Sequence, residues 1–349
     1  MEKLQKSSFQ RTEWISSAKG IAIIGVLAVH VGQHFNLSRH LKEITESAQF
    51  SVQLFFILSS FLIFKSLSAG QPILNTKLYF HFIAHKTLRL MPVLYAAVFL
   101  HTVLQLLNKA PISLSDILFA VSFLNGLSPH HINPYMNWYV GALFLFTLTA
   151  PLLFRTINSR AKAVLFFVIS NTVCCLSDLA IAKLGNGSNS GGFYYFWLIH
   201  QMPSLSFGII VYFFSDLEDR SGIAILALVL SIYSLLNLTF PDSPYIFQIN
   251  FRYGFCLLIF SYASHLVLGR GMLFLSTLGS FSYGIYLFHP VFLDLFEKAL
   301  SQLTINRSSV ALFSVYSAAL LICSYLFSFY FNKFIEKPIL LIAKRRLNL

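Results

Sequence analysis

Charge is what this chain has least of. Asp, Glu, Lys and Arg together make up 11% of its 349 residues, where a soluble domain carries about a quarter. A surface that poor in charge cannot be covered by water, and no segment is polar enough to build a separate soluble domain. Cysteine is scarce too: there are four, Cys174, Cys175, Cys256 and Cys323, all inside apolar stretches. That setting argues against a disulfide framework, a thiolate nucleophile or a cysteine metal site, and for small buried hydrophobes. Acids number 13 against 25 bases, and almost none of the acids falls inside an apolar run. Internal repeats and low-complexity linkers are missing, so a two-fold transporter design has no support.

What the chain has in abundance is apolar and aromatic side chains. Hydrophobic residues make up 56%, with 37 Phe and 16 Tyr, and the mean hydropathy is +0.69. About twenty apolar residues cross the hydrocarbon of a bilayer. Ten stretches qualify, near 15–35, 48–66, 90–107, 137–154, 163–182, 193–214, 221–240, 250–268, 273–296 and 310–332. Residues 115–127 are apolar but short, which predicts a re-entrant or interfacial helix. The N-terminal run after Lys3, Lys6, Arg11 and Lys19 mimics a signal peptide, but no small-residue cleavage site follows it, so it reads as a retained first helix. The expected fold is an all-α integral membrane bundle of about ten transmembrane helices, a single domain over residues 1–349 with no fused soluble domain.

The net charge of +12 suits nucleic acid or a membrane surface, and its distribution decides for the membrane. With ten spans and an inside N-terminus, eighteen of the 25 Lys and Arg residues face the inside and seven the outside. Positive charge collects on the cytoplasmic side of membrane proteins, which predicts that both termini are cytoplasmic. Nucleic acid is not expected as a partner; the lipid bilayer is.

Several residues then stand out chemically. In AKGIAIIGVLAVH, Lys19 and His30 are eleven residues apart, three turns plus about 20°, so they share a helix face about 16 Å apart. A cation near the cytoplasm and an imidazole deeper in the same stripe suit a ligand with an anionic head and a reactive tail. The plainer alternative is a snorkelling lysine and an interior histidine, although ionisable groups inside a membrane usually mark function. His34 makes an HxxxH spacing with His30, but no Glu or third ligand accompanies it. No metal site is implied. HFIAHKTLRLMP carries His81, His85, Lys86 and Arg89 just before a span, with Lys86 and Arg89 neighbours on a helix. They read either as a topology signal or as a phosphate clamp. SFSYGIYLFHP sets Tyr283, Tyr286 and His289 near one face, followed by Pro290. Glu336 stands alone at the start of a basic tail.

In order along the chain, these segments resemble the acyltransferase-3 family of membrane acyltransferases. The family's basic residue, ten intervening residues and His are matched by Lys19 and His30. Its second-helix pattern is matched by VQLFFILSSFLI at Val52–Ile63, and its basic pair before Leu-x-Pro by Lys86, Arg89, Leu90 and Pro92. Trp138 in NWYVGALFLF, the Ser282–His289 segment and the Glu336–Pro338 ending complete the series. There are departures: Lys19 stands where Arg is commoner, Gln53 where Asp is usual and Ser60 where Gly is usual. The fourth-span Glu is absent near Leu143, and Pro290 follows His289 directly.

The resemblance implies O-acylation of cell-surface glycans, polysaccharide, lipopolysaccharide or lipid-linked, with cytoplasmic acyl-CoA as donor and acetyl-CoA as the expected co-substrate; no bound cofactor is implied. It assigns His30 and His289 to catalysis. Lys19, Lys86, Arg89, Tyr283, Trp138 and Glu336 fall to binding acyl-CoA or glycan. A multi-pass protein of a cell membrane follows, a bacterial inner membrane by analogy, with a homo-oligomer compatible. The rival reading is a non-enzymatic transporter or flippase of a glycan intermediate. It is disfavoured because proton-coupled carriers usually need intramembrane carboxylates.

The 18-to-7 charge split makes a direct prediction. Single cysteines placed in Gly70–Lys86 and at both termini should label from the cytoplasmic side, and one in Gly185–Gly192 only from outside. Labelling of Gly185–Gly192 from the cytoplasm would overturn the ten-span arrangement.

Overall fold

The computed structural model describes residues 2–70, 76–127, 137–184, 196–214, 273–303 and 307–347, and all regular structure among them is helical. In chain order the α-helices are α1 (Glu2–Gly32), α2 (Arg39–Ser47), α3 (Phe50–Ala69), α4 (Thr76–Leu107), α5 (Leu114–Val121), α6 (Trp138–Thr156), α7 (Arg160–Leu184), α8 (Leu198–Phe213), α9 (Leu273–Ser280), α10 (Ser282–Ser301), α11 (Val310–Phe331) and α12 (Lys337–Leu347). A helix satisfies all its backbone groups internally, which lipid demands of any spanning segment.

Among the described residues, six helical stretches are long and apolar enough to cross a bilayer: Trp14–Gly32, Arg39–Ala69, Thr76–Leu107, Trp138–Thr156, Arg160–Ile181 and Val310–Arg345. The expected spans near 221–240 and 250–268 lie outside the described residues. The run expected at 273–296 is broken at Phe281, which caps α10 directly after α9. The short apolar stretch after Ser113 forms α5 and a 3₁₀ turn at Asn125–Leu127. Ser113 caps α5 by accepting from the Asp116 amide at 3.3 Å, and Leu114 and Leu118 are exposed. Val310–Arg345 is about 54 Å long at 1.5 Å per residue. The hydrocarbon core is about 30 Å, so the end bearing Lys333, Lys337, Lys344 and Arg345 extends past it.

Close backbone approach holds the centre of the bundle together. α1 lies against α9, and α3 against α8. A Cβ on Gly20 would meet the Leu275 carbonyl oxygen, and one on Gly279 the Ser16 carbonyl oxygen. Small residues at such crossings are how membrane helices gain packing where the hydrophobic effect gives little. At the α3–α8 crossing the unusual Ser60 is fully buried and gives its hydroxyl proton to Ile57 O at 3.1 Å. Gly208 faces it, and a Cβ there would strike both Ser60 Oγ and Ile57 O. Packing fixes α1, α3, α4, α6, α10 and α11 around a shared polar interior.

Candidate active site

A cavity of about 310 Å³ opens between α1, α3, α4, α6, α10 and the α11–α12 junction. Six of the side chains singled out for their chemistry line it: Lys19, Lys86, Arg89, Tyr283, Tyr286 and Glu336. Lys19 comes from α1, Lys86 and Arg89 from consecutive turns of α4, and Arg89 is exposed at the surface. Among the described residues, neither Lys19 nor Arg89 has a hydrogen-bond or ion-pair partner. Lys86 is partly held, donating to Ser66 Oγ at 3.2 Å and lying 5.4 Å from the Phe82 ring centroid. Glu336 sits on a π-helical turn, Asn332–Glu336, that joins α11 to α12. Asn332 Nδ2 donates to its carboxylate at 2.7 Å. Such turns re-aim side chains and recur at functional sites. The cavity therefore joins three cations to one carboxylate, a net positive lining suited to an anion.

The aromatic wall leads inward. Tyr283 donates its hydroxyl proton to Leu90 O at 2.9 Å, tying α10 to α4. Tyr139 exchanges a hydrogen bond with Ser59 at 2.8 Å, and its ring lies 5.4 Å from that of Tyr286. Tyr286 lines the cavity, and on its far side stands His289, ring centroids 5.9 Å apart. His289 faces His30 at 5.0 Å and 38°. The two histidines marked for catalysis are brought together, from α1 and α10, one aromatic ring beyond the cavity.

The orientation of His289 follows from its neighbour. Pro290 has no N–H, so the Tyr286 carbonyl loses the donor that position 290 would supply in a regular helix. His289 Nδ1 lies 2.6 Å from that oxygen. A carbonyl only accepts, so Nδ1 carries the proton. In the neutral imidazole Nε2 then keeps its lone pair. His289 is completely buried, and Nε2 has no hydrogen-bond partner among the described residues. His30 is partly exposed as a residue, but its Nδ1 is buried and also has no hydrogen-bond partner among the described residues. The His–Pro adjacency is thus a device that sets the imidazole tautomer and aim.

A model of the acyltransferase-3 family, described as an acyltransferase domain, matches residues 12–329. The chain belongs to the acyltransferase-3 family. Neither a curated protein nor a solved structure matches it. As a member the protein is a multi-pass membrane acyltransferase. Within that frame, Trp138 stands apart from the cavity. It is buried against Phe56 and Phe196, ring centroids 5.9 and 5.0 Å away, where it fixes the start of α6 beside Tyr139. Sequence reasoning passed over Ser59, Tyr139 and His101, which looked like ordinary interior residues of apolar spans.

The proline device is testable. Pro290→Ala restores an amide N–H that competes with His289 Nδ1 for the Tyr286 carbonyl. A lost hydrogen bond is worth about 0.5–1.5 kcal/mol, so the acyl-transfer rate should fall by roughly two- to tenfold with folding unchanged. A variant as fast as the parent would show that the proline does not set the imidazole.

Proposed function

We infer that the protein is a membrane O-acyltransferase that moves an acyl group, acetyl in the expected case, from cytoplasmic acyl-CoA to a glycan hydroxyl. The acceptor is a cell-surface polysaccharide or a lipid-linked glycan. One observation carries this reading: a cationic cavity with two cations that have no partner among the described residues, Lys19 and Arg89, is joined through Tyr286 to the paired imidazoles of His30 and His289. Phosphates are held well by clustered Lys and Arg, and a thioester at the other end of the same ligand reaches inward to the imidazoles. The charge split along the chain supports ten spans with cytoplasmic termini, which turns the cavity mouth toward the compartment that holds acyl-CoA. By analogy the membrane is a bacterial inner membrane.

The chemistry needs a base and a place for the developing oxyanion. The acceptor hydroxyl oxygen attacks the thioester carbonyl carbon while His30 takes the hydroxyl proton. The tetrahedral adduct collapses, the carbon–sulfur bond breaks, and the proton passes to the CoA thiolate. The products are the glycan ester and CoA thiol. His289 Nε2 faces the same space and supports the imidazole as charge builds. A transient acyl group on His30 uses the same geometry in two steps.

A coupled set of variants tests this. Removing a general base costs about 10²–10⁴-fold in rate, so His30→Ala should abolish glycan acylation while leaving folding and CoA binding near those of the parent. His34→Ala should be milder. Arg89→Ala should weaken acyl-CoA binding by roughly tenfold to a hundredfold, since a charged contact is worth about 1.5–3 kcal/mol. Lys86→Ala should do less, because Ser66 already holds part of that charge. Assays would use purified protein, acetyl-CoA and isolated glycan. Substantial activity in His30→Ala contradicts the mechanism, and full activity in every variant with glycan still crossing the membrane favours a transporter.

A further inference from the structure

Four of the helices around the cavity also carry a second polar cluster, about 18 to 22 Å along the axis from the first at 1.5 Å per residue. On α1, Lys19 to His34 is about 22 Å; on α4, Arg89 to His101 is about 18 Å; on α10, Tyr283 to Glu297 is about 21 Å; on α11, Ser328 to Tyr316 is about 18 Å, at 1.5 Å per residue. His30 and His289 fall between the two levels on their own helices. The far level is well organised. Glu297 accepts from Arg307 at 2.9 Å and from Tyr316 at 3.1 Å, and His34 Nδ1 lies 3.4 Å from the same carboxylate. Arg307 also donates to the His34 carbonyl at 3.0 Å, and the Asn36 amide donates to the Arg307 carbonyl at 3.1 Å. These bonds hold the segment after α10 against the end of α1.

Beside this network stands a second acid. Asp294 Oδ2 lies 3.7 Å from His101 Nδ1, with the carboxylate side chain 53% exposed and the imidazole only 4%. Residue 294 follows His289 by little more than one turn, so the acid sits about 7.5 Å further along the axis. Carboxylates in a chain this poor in acid are costly near a membrane interior and usually mark a ligand path. Charge decides what kind of ligand. Two carboxylates against one guanidinium disfavour another phosphate. Together with imidazole nitrogens and Tyr316, they offer the alternating acceptors and donors that neutral polyols satisfy.

We propose that Asp294, Glu297, Arg307 and His34 form the acceptor site, binding sugar hydroxyls on the face opposite the acyl-CoA cavity, so that one hydroxyl reaches the His30–His289 pair from the far side. The proposal rests on the acyltransferase reading above. It assigns the two substrates to opposite ends of one polar path, and it gives Glu297 and Arg307 a role in glycan binding that neither has in the donor site. Asp294 meets the acceptor at the surface, and the Glu297–Arg307 pair holds it in register with His30.

The test measures initial rates of ester formation with acetyl-CoA and un-acylated glycan extracted from a strain lacking the protein. Asp294→Asn should raise the glycan KM by tenfold or more and leave the acetyl-CoA KM within twofold of the parent. Glu297→Gln should do the same. Because Glu297 ties three groups together, Asp294→Asn, which loses only one long contact, keeps the question open to measurement if Glu297→Gln fails to fold. Glu43→Gln, an exposed acid on α2 paired only with its neighbours Arg39 and His40, should change neither constant. An unchanged glycan KM in folded Asp294→Asn overturns the proposal, as does a rise confined to the acetyl-CoA KM. Either result leaves the acyltransferase reading standing. A parent protein that forms no ester at all takes down both.

Discussion

The imidazole of His289 is held by a carbonyl that Pro290 has left without its helical donor, and the rest of the site is arranged around that contact. It commits Nδ1 to the Tyr286 oxygen and leaves Nε2 in the buried space shared with His30. An interior imidazole supports a neighbouring ring only with a fixed tautomer, because each of its nitrogens must be committed either to donate or to accept. In a soluble enzyme a carboxylate often sets the tautomer. Here a backbone oxygen does so, and no further charge is brought into an apolar interior where unpaired charge is expensive.

Rigid packing lets that contact matter. The α1–α9 crossing has no room for a side chain at Gly20 or Gly279, so α1 cannot shift without moving Lys19 and His30 together. The cavity cations and the imidazole therefore keep a fixed separation. Tyr283 closes the same frame from α10 by bonding to α4, and Tyr286 is the ring through which cavity and histidine pair communicate. Two polar levels about 20 Å apart lie along the same helices, with the histidine pair between them.

Much of this was legible in the sequence, and the reasons differ by element. Apolar length identified α1, α3, α4, α6, α7 and α11, because crossing a bilayer imposes a minimum run that composition cannot hide. The break at Phe281 was not legible: it lies inside a continuous apolar stretch, and only packing of α9 against α1 separates it from α10. Helical spacing put Lys19 and His30 on one stripe, and the motif order gathered Lys86, Arg89, Tyr283 and Glu336 at the cavity. What spacing could not give was partnership across the bundle. His101 and Asp294 are far apart in the chain, as is His34 from Glu297 and Arg307; only His34 fell in a spacing pattern, and that pattern pointed along its own helix to His30. Trp138 was conspicuous in sequence but packs as a wall beside Phe56 and Phe196.

The central claim is that a phosphate-anchored acyl-CoA runs from the Lys19–Lys86–Arg89 cavity past Tyr286 to the two histidines. It is tested most directly by an experimental structure of the protein in lipid nanodiscs with a non-hydrolysable thioether analogue of acetyl-CoA. The account predicts phosphate density within hydrogen-bond distance of Arg89 and Lys19, and the analogue's acyl terminus against the His30 and His289 rings. Phosphates held elsewhere, or an acyl terminus that points away from the histidine pair, would contradict it.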